Sequence, residues 1–421
     1  MSELSQPTPW AKCAAFLRLL GPGVLMATAA VGGSHLVAST QAGAKFGWQL
    51  IVLILAVNVL KYPFFRAGVS YTISTKETLQ QGYRKMGKGY LGLALALNIV
   101  ASVVNAAALL LFAASLLAYF IPIDVSVAVT GAAVLCAILF ILLAGHFAAL
   151  DGVAKGIMAV LVIATFAAFL MALFNGPVQP SGYVSPSPWT MATLGFLVIT
   201  MGWMPAPIEI SSITSLWLKR QCKVQPVSAR SALFDFNLGY AVTTLLALMF
   251  LALGALVLHG SGETLATSGI GFSQQLVSLY ANTIGPWSHW LIALVAFLCI
   301  FGSALTVYDG YARVIAEAIA LLAPTKLSTT AVFTPVLITM AICSFSIVLF
   351  FKSALLAMLG FAMTLAFLTT PIFAWLNHGL VKRFALHPDV KANKLVQILS
   401  YAGLLYLFGF LLLFVGWKWF G

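Results

Sequence analysis

Long apolar stretches alternate with short polar segments through the whole chain. Apolar stretches of about twenty residues are typical of membrane-spanning helices. This pattern predicts eleven spans, near residues 17–42, 48–73, 89–120, 124–145, 152–174, 190–218, 231–258, 286–322, 329–351, 354–381 and 395–420. The chain is therefore predicted to be an all-α polytopic membrane protein, with one transmembrane domain over residues 1–421 and no soluble domain.

Two of the predicted spans are interrupted near their middle by Gly and Pro. The interruptions fall at residues 29–35 in the first span and 202–207 in the sixth. A helix break inside a bilayer frees backbone N–H and C=O groups that no water can reach, so these groups must line a protected cavity. A matched pair of broken spans indicates the substrate site of a transporter. Neither break contains a carboxylate.

The positions of the breaks divide the chain into two halves. Each break lies in the first of five spans, in residues 17–174 and 190–381, and the eleventh span at 395–420 is an addition. Because five is an odd number of membrane crossings, the second repeat has the opposite orientation in the membrane to the first. This 5+5 inverted repeat, with helices 1 and 6 broken at mid-membrane, is the plan of the LeuT-type transporters.

Composition and charge agree with a membrane protein. Hydrophobic residues make up 62% and charged residues 8%, with a mean hydropathy of +1.03. The net charge of +12 is unevenly distributed between the two sides of the predicted membrane domain. Sixteen Lys and Arg lie in the segments on the side of the N-terminus, and three, Lys45, Lys352 and Lys418, lie in the segments on the other side. By the positive-inside rule the first set is cytoplasmic. We expect a bacterial-type inner membrane protein, with its N-terminus cytoplasmic and its C-terminus outside, that does not bind nucleic acid.

The sequence contains no pattern typical of an enzyme. It lacks a Ser-His-Asp arrangement, a phosphate-binding loop and a zinc motif, and its five Cys show no CxxC spacing. We therefore predict no catalytic activity and no cofactor.

Several short motifs carry a resemblance to a known family. They are Gly21-Pro22-Gly23, Gln41-Ala42-Gly43-Ala44 with Phe46-Gly47, Thr75-Lys76-Glu77-Thr78-Leu79 and Met204-Pro205. Together with the order of the spans, these motifs resemble the Nramp metal-ion transporters over essentially the whole chain. The resemblance implies a LeuT-type fold and transport of Mn²⁺, Fe²⁺ or similar ions with protons.

The sequence departs from this family at the metal-binding residues. The family's Asp-Pro-Gly-Asn tetrad falls on Gly32, Gly33, Ser34 and His35, so the metal-binding Asp and Asn are replaced by Gly32 and His35. The resemblance therefore implies a site without its main anionic ligand.

Two further departures concern the sixth and third spans. The family's Met-Pro-His becomes Met204-Pro205-Ala206, which keeps the sulfur and loses the imidazole. The third span, which carries acidic residues of a proton route in the family, offers only the amide of Asn105 in the corresponding stretch. We consequently treat the chain as a divergent branch whose substrate does not follow from the family alone.

Three functions remain open. A small anion such as bicarbonate, or a short carboxylate, is slightly favoured, because a Gly-rich helix N-terminus presents N–H groups and positive partial charge to a ligand. The alternative is a divalent metal cation (Mn, Fe or Mg type) held by a rebuilt site, with Met204 and His35 as the metal ligands. A receptor or scaffold is disfavoured, because broken spans are costly unless they bind something.

The predicted site combines both breaks with three outlying polar residues. Substrate binding is assigned to Gly32, Gly33, Ser34, His35, Met204, Pro205 and Ala206. Glu209, Lys61 and Asn105 are candidates for coupling or for support of the site, with H⁺ or Na⁺ as the coupling ion. Glu209 is the one carboxylate close to a break, where it either stabilises the first turn of the following helix or binds the ion. Lys61 is expected to line an inner vestibule.

Overall fold

The computed structural model describes residues 21–420, apart from 124, 146, 264–265, 267, 326 and 352–353. This part of the chain is helical almost throughout and contains no β-strand. The predicted N-terminal cytoplasmic segment with Lys12 and Arg18 lies outside the described residues.

The helices follow the predicted spans closely. They are α1 (Pro22–Ala30), α2 (Thr40–Phe46), α3 (Ile51–Thr75), α4 (Leu79–Met86), α5 (Lys88–Tyr119), α6 (Val127–Leu143), α7 (Phe147–Asn175), α8 (Leu194–Trp203), α9 (Ile210–Val224), α10 (Ala229–Leu253), α11 (Gly269–Ile284), α12 (His289–Leu322), α13 (Thr329–Phe351), α14 (Leu355–Arg383) and α15 (Lys394–Phe420). Two π-helical segments, Ser34–Ser39 and Gly254–Leu258, adjoin α2 and α10.

Eight helical stretches in the described residues are long and apolar enough to cross a membrane. The number eleven, the sidedness of the termini and the division at residues 174 and 190 stay predictions. The all-helical membrane architecture is confirmed.

Both predicted breaks are present. The first span is α1, an interruption at Val31 and Gly32, and then the π-helical segment that leads into α2. The sixth span is α8 and α9, separated by six residues that follow Trp203. Each break falls where Gly or Pro removes the support for a continuous helix.

The start of α1 is fixed by α10. The Asp235 carboxylate accepts hydrogen bonds from the N–H groups of Gly21 and Gly23, at 3.0 and 2.7 Å, and thereby satisfies two donors of the helix N-terminus. The two helices touch along their backbones at Gly23 and Gly239, where an added Cβ on either residue would lie 2.2 or 2.3 Å from a carbonyl of the other helix. A membrane helix pair of this kind needs small residues to approach so closely.

Other helices enclose the two breaks. α12 packs against α5 and α1, α14 packs against α8, and α3 packs against α9 and α10. The breaks thus lie inside the bundle, where side chains of α3, α5, α10 and α12 can reach the freed backbone groups.

Candidate functional site

A small cavity lies between the two breaks. Its volume of about 20 Å³ leaves room for about one water-sized ligand. Its walls are mostly apolar and carry no ionisable side chain other than a tyrosine. The lining residues are Ala29, Ala30, Gly32, Gly33, Ser34, Asn105, Leu109, Trp203, Ala206, Pro207, Ile210, Val307 and Tyr311.

Two of the carbonyl groups freed by the first break are bound by donors of α12. The Ser303 hydroxyl of α12 lies 2.8 Å from the Thr28 carbonyl oxygen and 3.1 Å from that of Val31. The Cys299 thiol donates to the Val31 oxygen at 3.1 Å. Two of the carbonyl oxygens at this break are therefore taken up by the neighbouring helix.

Three carbonyl groups at the second break are bound by a lysine. Lys61 of α3 is fully buried, and its Nζ lies 2.7, 3.1 and 3.4 Å from the carbonyl oxygens of Met201, Gly202 and Ala206. In a continuous helix the Met201 carbonyl would accept from residue 205, but Pro205 has no N–H to donate. The lysine thus supplies the hydrogen bonds that the break removed.

The N–H groups of the first break are in a different situation. No backbone hydrogen bond spans Val31 and Gly32, so the amides of Gly32 and Gly33 lack a helical acceptor. In the described part of the chain no side chain accepts from them either. Both residues line the cavity, and both stand at the N-terminal end of the second half-helix. The cavity is consequently lined by two residues whose amides have no hydrogen-bond acceptor in the described part of the chain.

His35 and Ser34 form a short hydrogen-bonded chain beside these amides. The His35 Nδ1 lies 2.6 Å from the Ser34 Oγ, and its Nε2 lies 2.9 Å from the Thr243 carbonyl oxygen of α10. The Ser34 hydroxyl also lies 2.8 Å from the Ala30 carbonyl oxygen. A neutral imidazole and one hydroxyl provide two hydrogens for these three contacts, and a proton on His35 would provide the third.

A second polar chain runs from α8 to the start of α9. The Trp203 indole N–H donates to the Asn105 Oδ1 at 3.0 Å, and the Asn105 amide donates to the Tyr311 hydroxyl at 3.0 Å. Tyr311 donates in turn to the Glu209 Oε1 at 3.2 Å. The other carboxylate oxygen, Oε2, is buried and has no hydrogen-bond partner within the described residues.

The structure brings together only part of the predicted site. Gly32, Gly33, Ser34, Ala206 and Asn105 line the cavity, whereas His35, Met204, Pro205, Glu209 and Lys61 do not belong to its lining. Two of these are turned elsewhere, since His35 is bonded to α10 and Lys61 to the carbonyls of the break. The side chain of Lys61 is fully buried in this conformation, and its expected place in an inner vestibule stays a prediction.

Four residues at the site were not predicted. Ser303 and Cys299 cap the first break, and Trp203 and Tyr311 form two walls of the cavity. A hydroxyl and a thiol one helical turn apart on an apolar span were the available signal for the first pair. Tyr311 carried no such signal, because one tyrosine in a long helix is ordinary.

The described residues contain no group of three or more His, Cys, Asp or Glu that is able to hold a metal ion. The local arrangement is instead a pair of amides without an acceptor beside a small space, while the Ser34 hydroxyl and the Trp203 indole N–H already donate to Ala30 and Asn105. Hydrogen-bond donors of this kind bind electronegative groups.

The sequence is similar to a known protein family and to one curated relative. The family model described as natural resistance-associated macrophage protein-like (Nramp) matches residues 23–415. An uncharacterised protein of Pasteurella multocida is 45% identical over 424 residues, which cover 99% of this chain and 97% of the relative.

Solved structures share the fold at low sequence identity. Structures of the Eremococcus coleocola manganese transporter have a TM-score of 0.69 at 14% identity, covering 99% of this chain and 89% of theirs. MhsT, solved with L-phenylalanine, has a TM-score of 0.63 at 12% identity, covering 94% and 97%. A nucleobase-cation-symport-1 family transporter has a TM-score of 0.59 at 14% identity, covering 95% and 93%. The fold is therefore LeuT-type, and the matches indicate a transporter rather than an enzyme.

Proposed function

Because the chain belongs to the Nramp family, we propose that it is a secondary transporter that moves a small inorganic ion across the membrane by alternating access. The broken α1–α2 and α8–α9 spans are the elements that hold such a substrate in transporters of this architecture. The bacterial inner membrane, with a cytoplasmic N-terminus and the C-terminus outside, is the location that the distribution of Lys and Arg supports.

The substrate that the site geometry supports best is a small anion, such as bicarbonate or a short carboxylate. One observation carries this proposal: the carbonyls of Thr28, Val31, Met201, Gly202 and Ala206 are bound by protein donors, whereas the N–H groups of Gly32 and Gly33, two residues that line the cavity, have no hydrogen-bond acceptor in the described part of the chain. An anion needs donors, and the helix N-terminus adds a favourable partial charge. The Lys61 Nζ lies 3.4 Å from the carbonyl oxygen of the lining residue Ala206, and in its protonated form it adds positive charge close to the cavity.

His35 is our candidate for coupling this anion to a proton. A charge buried in an apolar bundle is costly unless an opposite charge accompanies it. An anion at Gly32–Ser34 would be that partner, and the hydrogen-bonded chain from Ala30 to Thr243 has a place for the additional hydrogen. Proton and anion would then bind together and be released together.

A divalent metal cation is the second candidate. The family, and the manganese transporters that share the fold, favour it over bicarbonate when they are considered alone. The local observation in its favour is the buried and unpartnered Oε2 of Glu209. With Met204 nearby in the chain, a rearranged site would have one carboxylate and one sulfur ligand, a weaker set than divalent first-row ions usually have.

Ligand-dependent thermal stability separates the two candidates. Purified protein in detergent is melted with bicarbonate, formate, acetate or MnCl₂, at matched ionic strength. A ligand at about 100 times its Kd adds about 2.7 kcal/mol to stability. We expect one or more of the small anions to raise the melting temperature by binding in a slightly widened cavity, while citrate, which would need a much larger opening, and Mn²⁺ have no such effect. The metal candidate predicts stabilisation by Mn²⁺ that is lost in Glu209→Gln, and this result would replace the anion proposal.

A further inference from the structure

Lys61 has surroundings that resemble those of a bound cation more than those of an ordinary lysine. Its ammonium is fully buried and faces three backbone carbonyls of the α8–α9 break, those of Met201, Gly202 and Ala206. No carboxylate lies within 4.0 Å of it in the described part of the chain. Three N–H donors thus meet three carbonyl acceptors, with no ion pair involved.

The carbonyl cluster is a consequence of the break. The Met201 carbonyl loses its partner because position 205 is proline, and the chain leaves the helix after Trp203, so the Gly202 carbonyl loses its partner too. The Ala206 carbonyl comes from the irregular segment that follows. Converging backbone carbonyls replace the hydration shell of monovalent cations in membrane proteins. The unwound ends of broken transporter helices coordinate coupling ions in the same way.

We propose that this carbonyl cluster is a monovalent-cation site that the Lys61 ammonium occupies permanently. The lysine therefore takes the place of a diffusible coupling ion such as Na⁺ and keeps the broken segment in its binding conformation. It follows that transport by the natural protein needs neither Na⁺ nor K⁺. The inference rests on transport by this chain, but not on the charge of the transported substrate.

The proposal also accounts for the position of the lysine. Lys61 lies in α3, which packs against α9 and α10, and its ammonium reaches the carbonyls of the break without lining the cavity. A fully buried ammonium needs an acceptor for each of its three N–H groups, and the break supplies all three. Three carbonyls from both sides of Pro205 indicate that the acceptors are arranged around the charge.

Removal of the side chain, followed by chemical rescue, tests the proposal. Lys61→Ala leaves a space into which propylammonium, added to the medium, can bring the same ammonium group. We expect transport by Lys61→Ala in proteoliposomes to fall by about tenfold or more, because the carbonyls lose a buried charged partner. Propylammonium or Na⁺ should restore a large part of it in a saturable manner, whereas choline should not. Lys61→Met is the matched control, since its long side chain leaves no space and should prevent rescue.

Three results would overturn the proposal. They are full transport by Lys61→Ala without any added cation, equal responses of Lys61→Ala and Lys61→Met to propylammonium, and a requirement of the natural protein for Na⁺ or K⁺. If Lys61→Ala is isolated only as aggregated protein, it is expressed and purified with propylammonium throughout. Failure to obtain folded protein under those conditions also overturns the proposal. Each of these experiments measures transport of the same substrate in the presence of different added cations. The outcome is therefore independent of whether that substrate is an anion or a metal ion.

Discussion

Replacing Gly32 with aspartate is expected to reduce transport of the small anion by about a hundredfold, because a like charge placed against a bound anion costs several kcal/mol. Gly32 lines the cavity, and an added Cβ would lie 3.2 Å from the Ser303 Oγ and 3.6 Å from the Leu109 Cδ2. Those neighbours are side-chain atoms that can shift by a few tenths of an ångström. The main change is thus the introduction of a carboxylate at the wall of the cavity.

Gly32→Asn is the matched control for this prediction. It adds the same bulk without the charge, so it should lose clearly less transport than Gly32→Asp. Initial rates of labelled anion uptake into proteoliposomes provide the comparison at equal amounts of reconstituted protein. Equal rates for the two variants would mean that bulk decides the effect, and an unimpaired Gly32→Asp would exclude an anion from this cavity.

Gly202→Ala is expected to have the largest effect on folding. An added Cβ at this position would lie 1.9 Å from the Met363 carbonyl oxygen and 2.7 Å from its carbonyl carbon, both in the backbone of α14. Since backbone cannot rotate away as a side chain can, α8 and α14 must separate, and the carbonyl that Lys61 binds moves with them. Overpacking costs 1–3 kcal/mol in ordinary cores, and we expect about 3 kcal/mol or more here.

Thermal unfolding and gel filtration in detergent measure this loss. Gly195→Ala, in the same helix, is the matched control, because its Cβ would lie 3.8 Å from the Trp417 ring, an ordinary contact. Its melting temperature should stay close to that of the natural protein. Equal melting temperatures for Gly202→Ala and Gly195→Ala would refute the close packing of α8 against α14.

Sequence reasoning reached the fold because its signals are local and strong. Apolar runs of span length give the helices, and Gly32, Gly33 and Pro205 give the breaks, since no tertiary partner can make proline donate a hydrogen bond. The motif at Gly21-Pro22-Gly23 anchored the alignment with the Nramp family, to which the family model confirms that the chain belongs. The absence of a carboxylate at either break was equally readable from the sequence.

The interior of the site was less accessible to prediction. Whether a lysine in an apolar helix reaches the membrane surface or a buried carbonyl depends on the rotation of that helix in the bundle. The side chain of Lys61 is buried. The same ambiguity applies to His35, whose ring turns to the Thr243 carbonyl of α10 instead of to the cavity. The wall residue Tyr311 is more than a hundred residues away from either break in sequence, and only packing brings it there.

The central claim is that this Nramp-family chain binds an anion where its relatives are expected to bind a metal. The most direct test is transport by purified protein in proteoliposomes, which compares uptake of labelled bicarbonate, formate and acetate with uptake of Mn²⁺ in the same preparation. The account predicts saturable uptake of at least one of the anions, accompanied by acidification of the vesicle interior, and no saturable uptake of Mn²⁺. Saturable Mn²⁺ uptake without uptake of any small anion would contradict it.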